Sequence, residues 1–317
     1  MQIACDAIDK LMMVEIRQRG ANRGFKWTLY ELARAASDRP LVLAAAEALN
    51  GPPMLVGIVT GAAVPEHMPA GENDGPFGAV ALARTLVAIG HQVVIWTDPE
   101  CAPPIEGLLK HMQVPARLGI LGMNDEAQQK AIAAECGALV AIERLGGNVN
   151  GFIHGINGKV RNGFRTKVDV IFDTARALGK PTIGIGDGGN EVGFGKIRDA
   201  LLERAPEHNQ ADRTPCGGGI FSAVATDVLV TATTSNIGAY GVAAAIAMLR
   251  GDASLCHDGD EEERLHYVGV GLNLTDGGGG GQIAACDGIP AKANGAMATL
   301  IQAVVQRFLD PPRVRPF

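Results

Sequence analysis

From residue 54 onward the chain alternates short apolar runs with amphipathic stretches, and this alternation constrains its fold more than any other feature. Met54–Thr60, Gln92–Thr97, a weaker Arg117–Leu121, Ala138–Ile142, Pro181–Gly186, Asp227–Thr231 and His266–Leu272 read as strands. Phe77–Ile89, a stretch near Pro104–Met112, Asp125–Cys136, Val168–Leu178, Ile237–Leu249 and Ala291–Phe308 read as helices. Buried strands separated by helices imply an α/β fold, a mostly parallel sheet with helices on both faces. The first 53 residues differ. Ile8, Leu11, Met12 and Ile16, then Leu29, Leu32, Ala33 and Ala36, recur at helical spacing, and Pro40 and Asn50-Gly51-Pro52-Pro53 punctuate them. The expected organisation is a helical arm over 1–53, of two or three helices, packed on a main α/β domain over 54–317.

Composition narrows the function. Aromatic residues are only 4% of the 317, so Ala, Val, Ile and Leu must fill the core. A net charge of −6 without a Lys/Arg cluster argues against a nucleic-acid partner. The longest like-charge run, Asp258 to Glu263, reads as a solvated loop or helix start. No apolar stretch approaches the ~18 residues of a membrane span. Asp6 and Asp9 stand where a secretory signal would be basic, so none is expected. The six cysteines show no metal spacing and read as reduced, mostly buried thiols, which fits a cytoplasmic setting. Cys216 stands apart because it opens the loop Cys216-Gly217-Gly218-Gly219, where a structural and a nucleophilic role are both open. The N-terminal helices could also present apolar faces to a second copy, as a homo-oligomer.

In parallel sheets ligands bind beyond the carboxyl ends of the strands, so the post-strand loops are where chemistry is expected. After the first strand a long loop ends in Gly71-Glu72-Asn73-Asp74-Gly75-Pro76. Its length exceeds the usual ~2–6 residues, and capping by Asn73 or Asp74 explains one polar residue rather than three. After Ile142 comes Glu143-Arg144, either a structural ion pair or a carboxylate and a guanidinium at the mouth of a site. The densest signal is 182–196, with six glycines in the twelve residues 184–195 and Asp187, Asn190, Glu191 and Lys196 interspersed. Such glycines let backbone amides approach an anion. The segment contains a literal G-x-G-x-x-G, but Gly193 and Gly195 interrupt the helix a dinucleotide site needs, and Gly195-Lys196-Ile197 is not a P-loop. Ser235 or Asn236 opens the next helix, where free amides also suit an anion. The glycines 277–281 read as a mobile flap or a disordered connection.

The phrases Gly71-Glu72-Asn73-Asp74-Gly75-Pro76, Ala141-Ile142-Glu143-Arg144, Ile183 to Glu191 and Ser235-Asn236-Ile237-Gly238-Ala239-Tyr240 resemble the C-terminal domain of the D-glutamate cyclase family, in order and approximate spacing, from about residue 5 to 310. Longer members of that family carry a further N-terminal domain. The resemblance implies a lyase that converts D-glutamate to 5-oxo-D-proline and water, acting on a small anionic substrate, an acidic amino acid. The residues are compatible with that chemistry. Glu191 or Asp187 would transfer the proton, and Lys196 with the amides of Gly188 and Gly189 would stabilise an oxyanion. Asn73, Asp74, Glu143, Arg144, Asn190, Ser235 and Asn236 would line the substrate site, with Arg144, Ser235 and Asn236 on the α-carboxylate. A divalent cation, Mg or Mn, would find oxygen ligands at Asp187 and Glu191, with Asp74 or Glu143 nearby. Two other functions suit the same loops: a Mg-dependent phosphate- or nucleotide-handling enzyme, and a non-catalytic subunit that binds an acidic metabolite.

Overall fold

Six strands pair in parallel in the order β3-β2-β1-β4-β5-β6: β1 Leu55–Val59, β2 Gln92–Thr97, β3 Arg117–Ile120, β4 Ala138–Ile142, β5 Thr182–Gly186 and β6 Val228–Thr231. They come from a computed structural model that describes residues 1–16 and 24–311. Side chains alternate across each strand, so the sheet must be covered twice. In β4, Ala138, Val140 and Ile142 enter one apolar layer, and Leu139 and Ala141 the other. The smaller layer is closed by α6 (Glu126–Glu135) and α7 (Asp169–Ala177), through Ile132, Ile171 and Phe172. The larger holds α4 (Pro76–Ala88), α5 (Ala102–His111), α8 (Arg198–Arg204), α9 (Ser235–Arg250) and α11 (Ala291–Leu309).

The N-terminal arm forms three helices, α1 (Gln2–Met12), α2 (Phe25–Ala35) and α3 (Leu41–Leu49). Ile8, Met12, Leu29 and Leu49 are fully buried in the same apolar layer as α9 and α11. Helix α2 lies against β6 and α8, which brings its first turn to the carboxyl edge of the sheet. Among the described residues no helix is long and apolar enough to cross a membrane.

The expected strand over His266–Leu272 is instead the last turns of α10 (Gly259–Gly271). Its apolar run is short enough to suit either structure, and the start signal decides. Asp258 caps the helix by accepting from the amides of Asp260 and Glu261, both at 3.0 Å. The acidic run is thus a helix start, but it is not wholly solvated. Glu262 is buried, accepting from Tyr240 Oη at 2.5 Å and lying 2.9 Å from His257 Nε2. The glycines 277–281 form a defined turn rather than a loose connection, since Asp276 accepts from the amides of Gly279 at 2.7 Å and Gly288 at 2.9 Å.

Candidate active site

Strand order reverses between β1 and β4, so the loops after these strands part and leave a crevice. The literal G-x-G-x-x-G belongs to β5, one strand away from that switch point. The crevice holds a cavity of about 450 Å³ lined by Lys26, Glu72, Glu143, Arg161, Arg165, Asp187, Asn190, Glu191 and Asp287, with Gly277, Gly278 and Gly280 as one wall.

Asp74 lies beneath it. Its Oδ2 accepts from the Ser235 amide at 3.0 Å and its Oδ1 from the Asn236 amide at 2.8 Å, so this carboxylate occupies the positive end of α9. Asn236 reciprocates: its Oδ1 accepts from the amides of Gly75 at 2.9 Å and Gly78 at 2.7 Å and so caps α4. The two loops therefore cap each other's helices. Within α9 itself the N-cap is Thr234, not Ser235 or Asn236. The helix terminus expected to receive a substrate anion is filled by the protein's own carboxylate.

Glu143 follows β4 with φ of +50°, a left-handed conformation that a non-glycine residue adopts at a cost. The kink turns its side chain into the crevice, where Oε2 accepts from Ser235 Oγ at 2.5 Å. The same kink sends Arg144 the other way. Arg144 is fully buried and grips Asp98 with both terminal nitrogens, at 2.5 and 3.0 Å, and it also donates to the carbonyls of Gly61 and Thr166. Burial raises the Asp98 carboxyl, but Arg144 outweighs it and holds that group below its ordinary value. Arg144 thus forms its ion pair with Asp98 rather than with Glu143, and it does not line the cavity.

Asp187 and Glu191 meet in the turn after β5. Glu191 Oε1 accepts from the amides of Asp187 at 3.0 Å and Gly188 at 2.8 Å. These amides serve the protein's own carboxylate, not a bound anion, and Gly189 packs on Phe221. Glu191 Oε2 is buried without a hydrogen-bond partner. Asp187 is ion-paired with Lys26, whose Nζ also donates to the Thr233 carbonyl at 2.7 Å. Asn190 borders the cavity and donates to the His154 carbonyl at 2.8 Å. Asn73 donates to the Ala285 carbonyl at 2.6 Å. Lys196 is not at the site. It donates to the Asp227 carbonyl at 2.5 Å, at the start of β6 and so on the opposite edge of the sheet.

The electrostatics follow from this crowding. Burial, then Asp287 and Asp187, push the Asp74 carboxyl up to about 8. Burial, then Asp187, push Glu191 up to about 7. Burial, with Asp187 and Glu191 next, raises Glu143 well above its ordinary value, and burial with Asp287 does the same to Glu72. One oxygen each from Asp74, Glu143 and Asp187 lie within 4.8 Å of one another, a donor set that suits a hard divalent cation. Glu191 is not in that set, and Lys26 shares Asp187 with it.

Lys26, Arg161, Arg165 and Asp287 line the cavity without having been expected there. Arg165 is buried, donates to the Ala63 carbonyl at 3.1 Å and keeps Nε without a partner. One signal was available for both arginines: they lie in the long irregular connection between β4 and α7, longer than a βα loop needs.

The chain matches the family described as D-glutamate cyclase-like, C-terminal, over residues 8–302. It is 30% identical over 198 residues to human mitochondrial D-glutamate cyclase, an alignment that takes in 58% of this chain and 31% of that protein. Among solved structures, a short-chain dehydrogenase/reductase from Serratia marcescens is similar at a TM-score of 0.29 and 11% identity, over 79% of this chain and 89% of that one. An actinorhodin polyketide ketoreductase with NADPH gives 0.28 and 11%, over 80% and 92%. At such scores neither likeness informs the site. The match over nearly the whole chain shows the family: this protein belongs to the D-glutamate cyclase-like C-terminal family.

Proposed function

We propose that the chain is a lyase of the D-glutamate cyclase type, converting D-glutamate to 5-oxo-D-proline and water. The observation that carries this reading is a cavity lined by both Glu191 and Arg165, each of which keeps a buried polar atom (Oε2 and Nε) without a hydrogen-bond partner. The family supports it, and so does the cavity volume of about 450 Å³, which suits an amino acid.

The proton balance explains what such a site must do. The substrate enters with an ammonium and two carboxylates. Nitrogen forms a bond to the side-chain carboxyl carbon, one carboxyl oxygen departs as water, and two of the three ammonium protons leave with it. No proton is gained or lost overall, so the site needs a group that accepts at nitrogen and returns the proton to oxygen. Glu191 suits this relay because its carboxyl is held near neutrality, where either protonation state is accessible. Its Oε1 is anchored by two amides, which leaves Oε2 to exchange protons. Arg165, with Arg161 at the cavity wall, pairs with the α-carboxylate. Lys26 offsets the charge of Asp187, which would otherwise repel a dicarboxylate. A divalent cation, if bound, would be held by Asp74, Glu143 and Asp187 and would neutralise carboxyl charge. The amides on which a phosphate-handling function would depend are already taken up by Glu191.

The test is to incubate the purified chain with D- and L-glutamate, with and without Mg²⁺ or Mn²⁺, and to follow 5-oxoproline by chromatography. Formation of 5-oxo-D-proline above the buffer control is expected. Tight binding of D-glutamate with no turnover under any condition would overturn the lyase reading.

A further inference from the structure

Cys216 takes no part in the chemistry above, yet it is the one cysteine of the six that is not buried. Its Sγ lies 3.3 Å from Nε2 of His154 and 3.2 Å from Nδ2 of Asn148. His154 is fully buried. Its other ring nitrogen, Nδ1, is 2.9 Å from the Gly158 carbonyl. A carbonyl can only accept, so Nδ1 carries a hydrogen and Nε2 is left to share a proton with the thiol. Asn148 is held in turn, since its Nδ2 also donates to the Gly219 carbonyl at 2.7 Å and its Oδ1 accepts from the Asn150 and Phe152 amides. This is the arrangement that activates a sulfur nucleophile: thiol, base, and a third group that fixes the base.

We propose that His154 acts as base to the Cys216 thiol and makes Cys216 a modification site for small soft electrophiles, hydrogen peroxide among them. The sulfur is reachable, because Cys216 borders an open cavity of about 370 Å³ with Asn150, Phe152, Val160 and Pro215. Partial desolvation raises its thiol, but the donors of Asn148, the Gly218 amide and Thr214 outweigh that and hold it below the ordinary value. The contrast with the interior is sharp. Burial pushes Cys101 and Cys136 up to about 11, and Cys5 and Cys256 up to about 12. With peroxide the step balances as follows. The thiolate attacks one peroxide oxygen, the O–O bond breaks, and the imidazolium proton goes to the departing hydroxide. The products are a sulfenic acid, neutral His154 and water, with sulfur oxidised and peroxide reduced. The inference does not rest on the cyclase reading.

The test uses the native full chain. It is treated with iodoacetamide over pH 5.5–9.5, quenched, and each cysteine is quantified by peptide mass spectrometry. Cys216 is expected to be labelled first, with the midpoint of its pH–rate profile below the ~8.5 of a free thiol. A free thiol is only a few per cent ionised at pH 7, so the pair can speed labelling by at most about 30-fold. His154→Asn is expected to slow Cys216 at pH 7 by at least about 5-fold. Hydrogen peroxide followed by dimedone should tag Cys216, and dithiothreitol added before dimedone should abolish the tag. A midpoint at or above ~8.5, or labelling no faster than that of the buried cysteines, overturns the proposal. The wild-type profile decides this even if the buried His154 proves intolerant of substitution.

Discussion

Replacing Lys26 tests whether the N-terminal arm is part of the site or merely adjacent to it. Its ammonium is a counter-charge brought to Asp187 from α2, and the two side chains are only 7% and 9% exposed. Lys26→Met keeps most of the stem and removes the charge, leaving Asp187 crowded by Glu143, Glu191 and Asp74. Breaking a buried pair by deleting one partner costs about 3–5 kcal/mol, because the remaining charge stays desolvated. For a chain of this size that corresponds to a fall in Tm of roughly 5–8 °C. The second variant separates charge from packing. Asp187→Asn in the Lys26→Met background removes the carboxylate that has lost Lys26 and is expected to recover part of that cost. The assay is urea unfolding of wild type, both single variants and the double variant at pH 7.5, read as a double-mutant cycle. A cost below ~1 kcal/mol for Lys26→Met, or a double variant no more stable than that single one, would refute the reasoning.

Three further outcomes are expected. Arg144→Met should destabilise by about 3–5 kcal/mol in chemical denaturation, since it strands Asp98, while KM for D-glutamate in the folded protein stays unchanged; unchanged stability with a raised KM would put Arg144 back in the pocket. In EDTA, Tm should fall as pH rises from about 5 to 8. Asp9 is raised to about 6, Glu191 to about 7 and Asp74 to about 8, so the folded state binds more protons than the unfolded chain across that window; Asp98 and Glu262, held below their ordinary values, act only at lower pH. A rise in Tm over the same range would contradict this. At pH 8, Mn²⁺ should raise the Tm of wild type and not that of Glu143→Gln, as differential scanning fluorimetry would show; an equal rise in both would remove Glu143 from the donor set.

Much of this architecture was legible because a parallel sheet imposes two simple rules. Buried strands are apolar throughout, so Gln92–Thr97 and Ala138–Ile142 could be bounded to the residue. Polar residues that follow such strands gather on one edge, which is why Asp74, Glu143, Asp187 and Glu191 meet. The misreadings have equally physical causes. Val268-Gly269-Val270 has no helical periodicity of its own, and the cap at Asp258 and the buried Glu262 make it helix. Glu143 and Arg144 are adjacent in sequence, but the left-handed backbone at 143 sends their side chains to different sides. Lys196 shares the glycine-rich segment with Asp187, yet Gly193 and Gly195 press against backbone, and the chain turns to carry Lys196 to the far edge. Lys26 reaches the crevice through tertiary packing, to which no local pattern points, and Arg165 comes from a connection whose length was its one signal.

The most direct measurement compares wild type with Glu191→Gln, using D-glutamate for both turnover and calorimetric binding. The amide keeps an oxygen for the Asp187 and Gly188 amides but cannot relay a proton, so kcat should fall by about 10²–10⁴-fold while Kd changes by less than about 3-fold. Wild-type turnover in Glu191→Gln, or loss of binding with no change in the chemical step, would contradict the account.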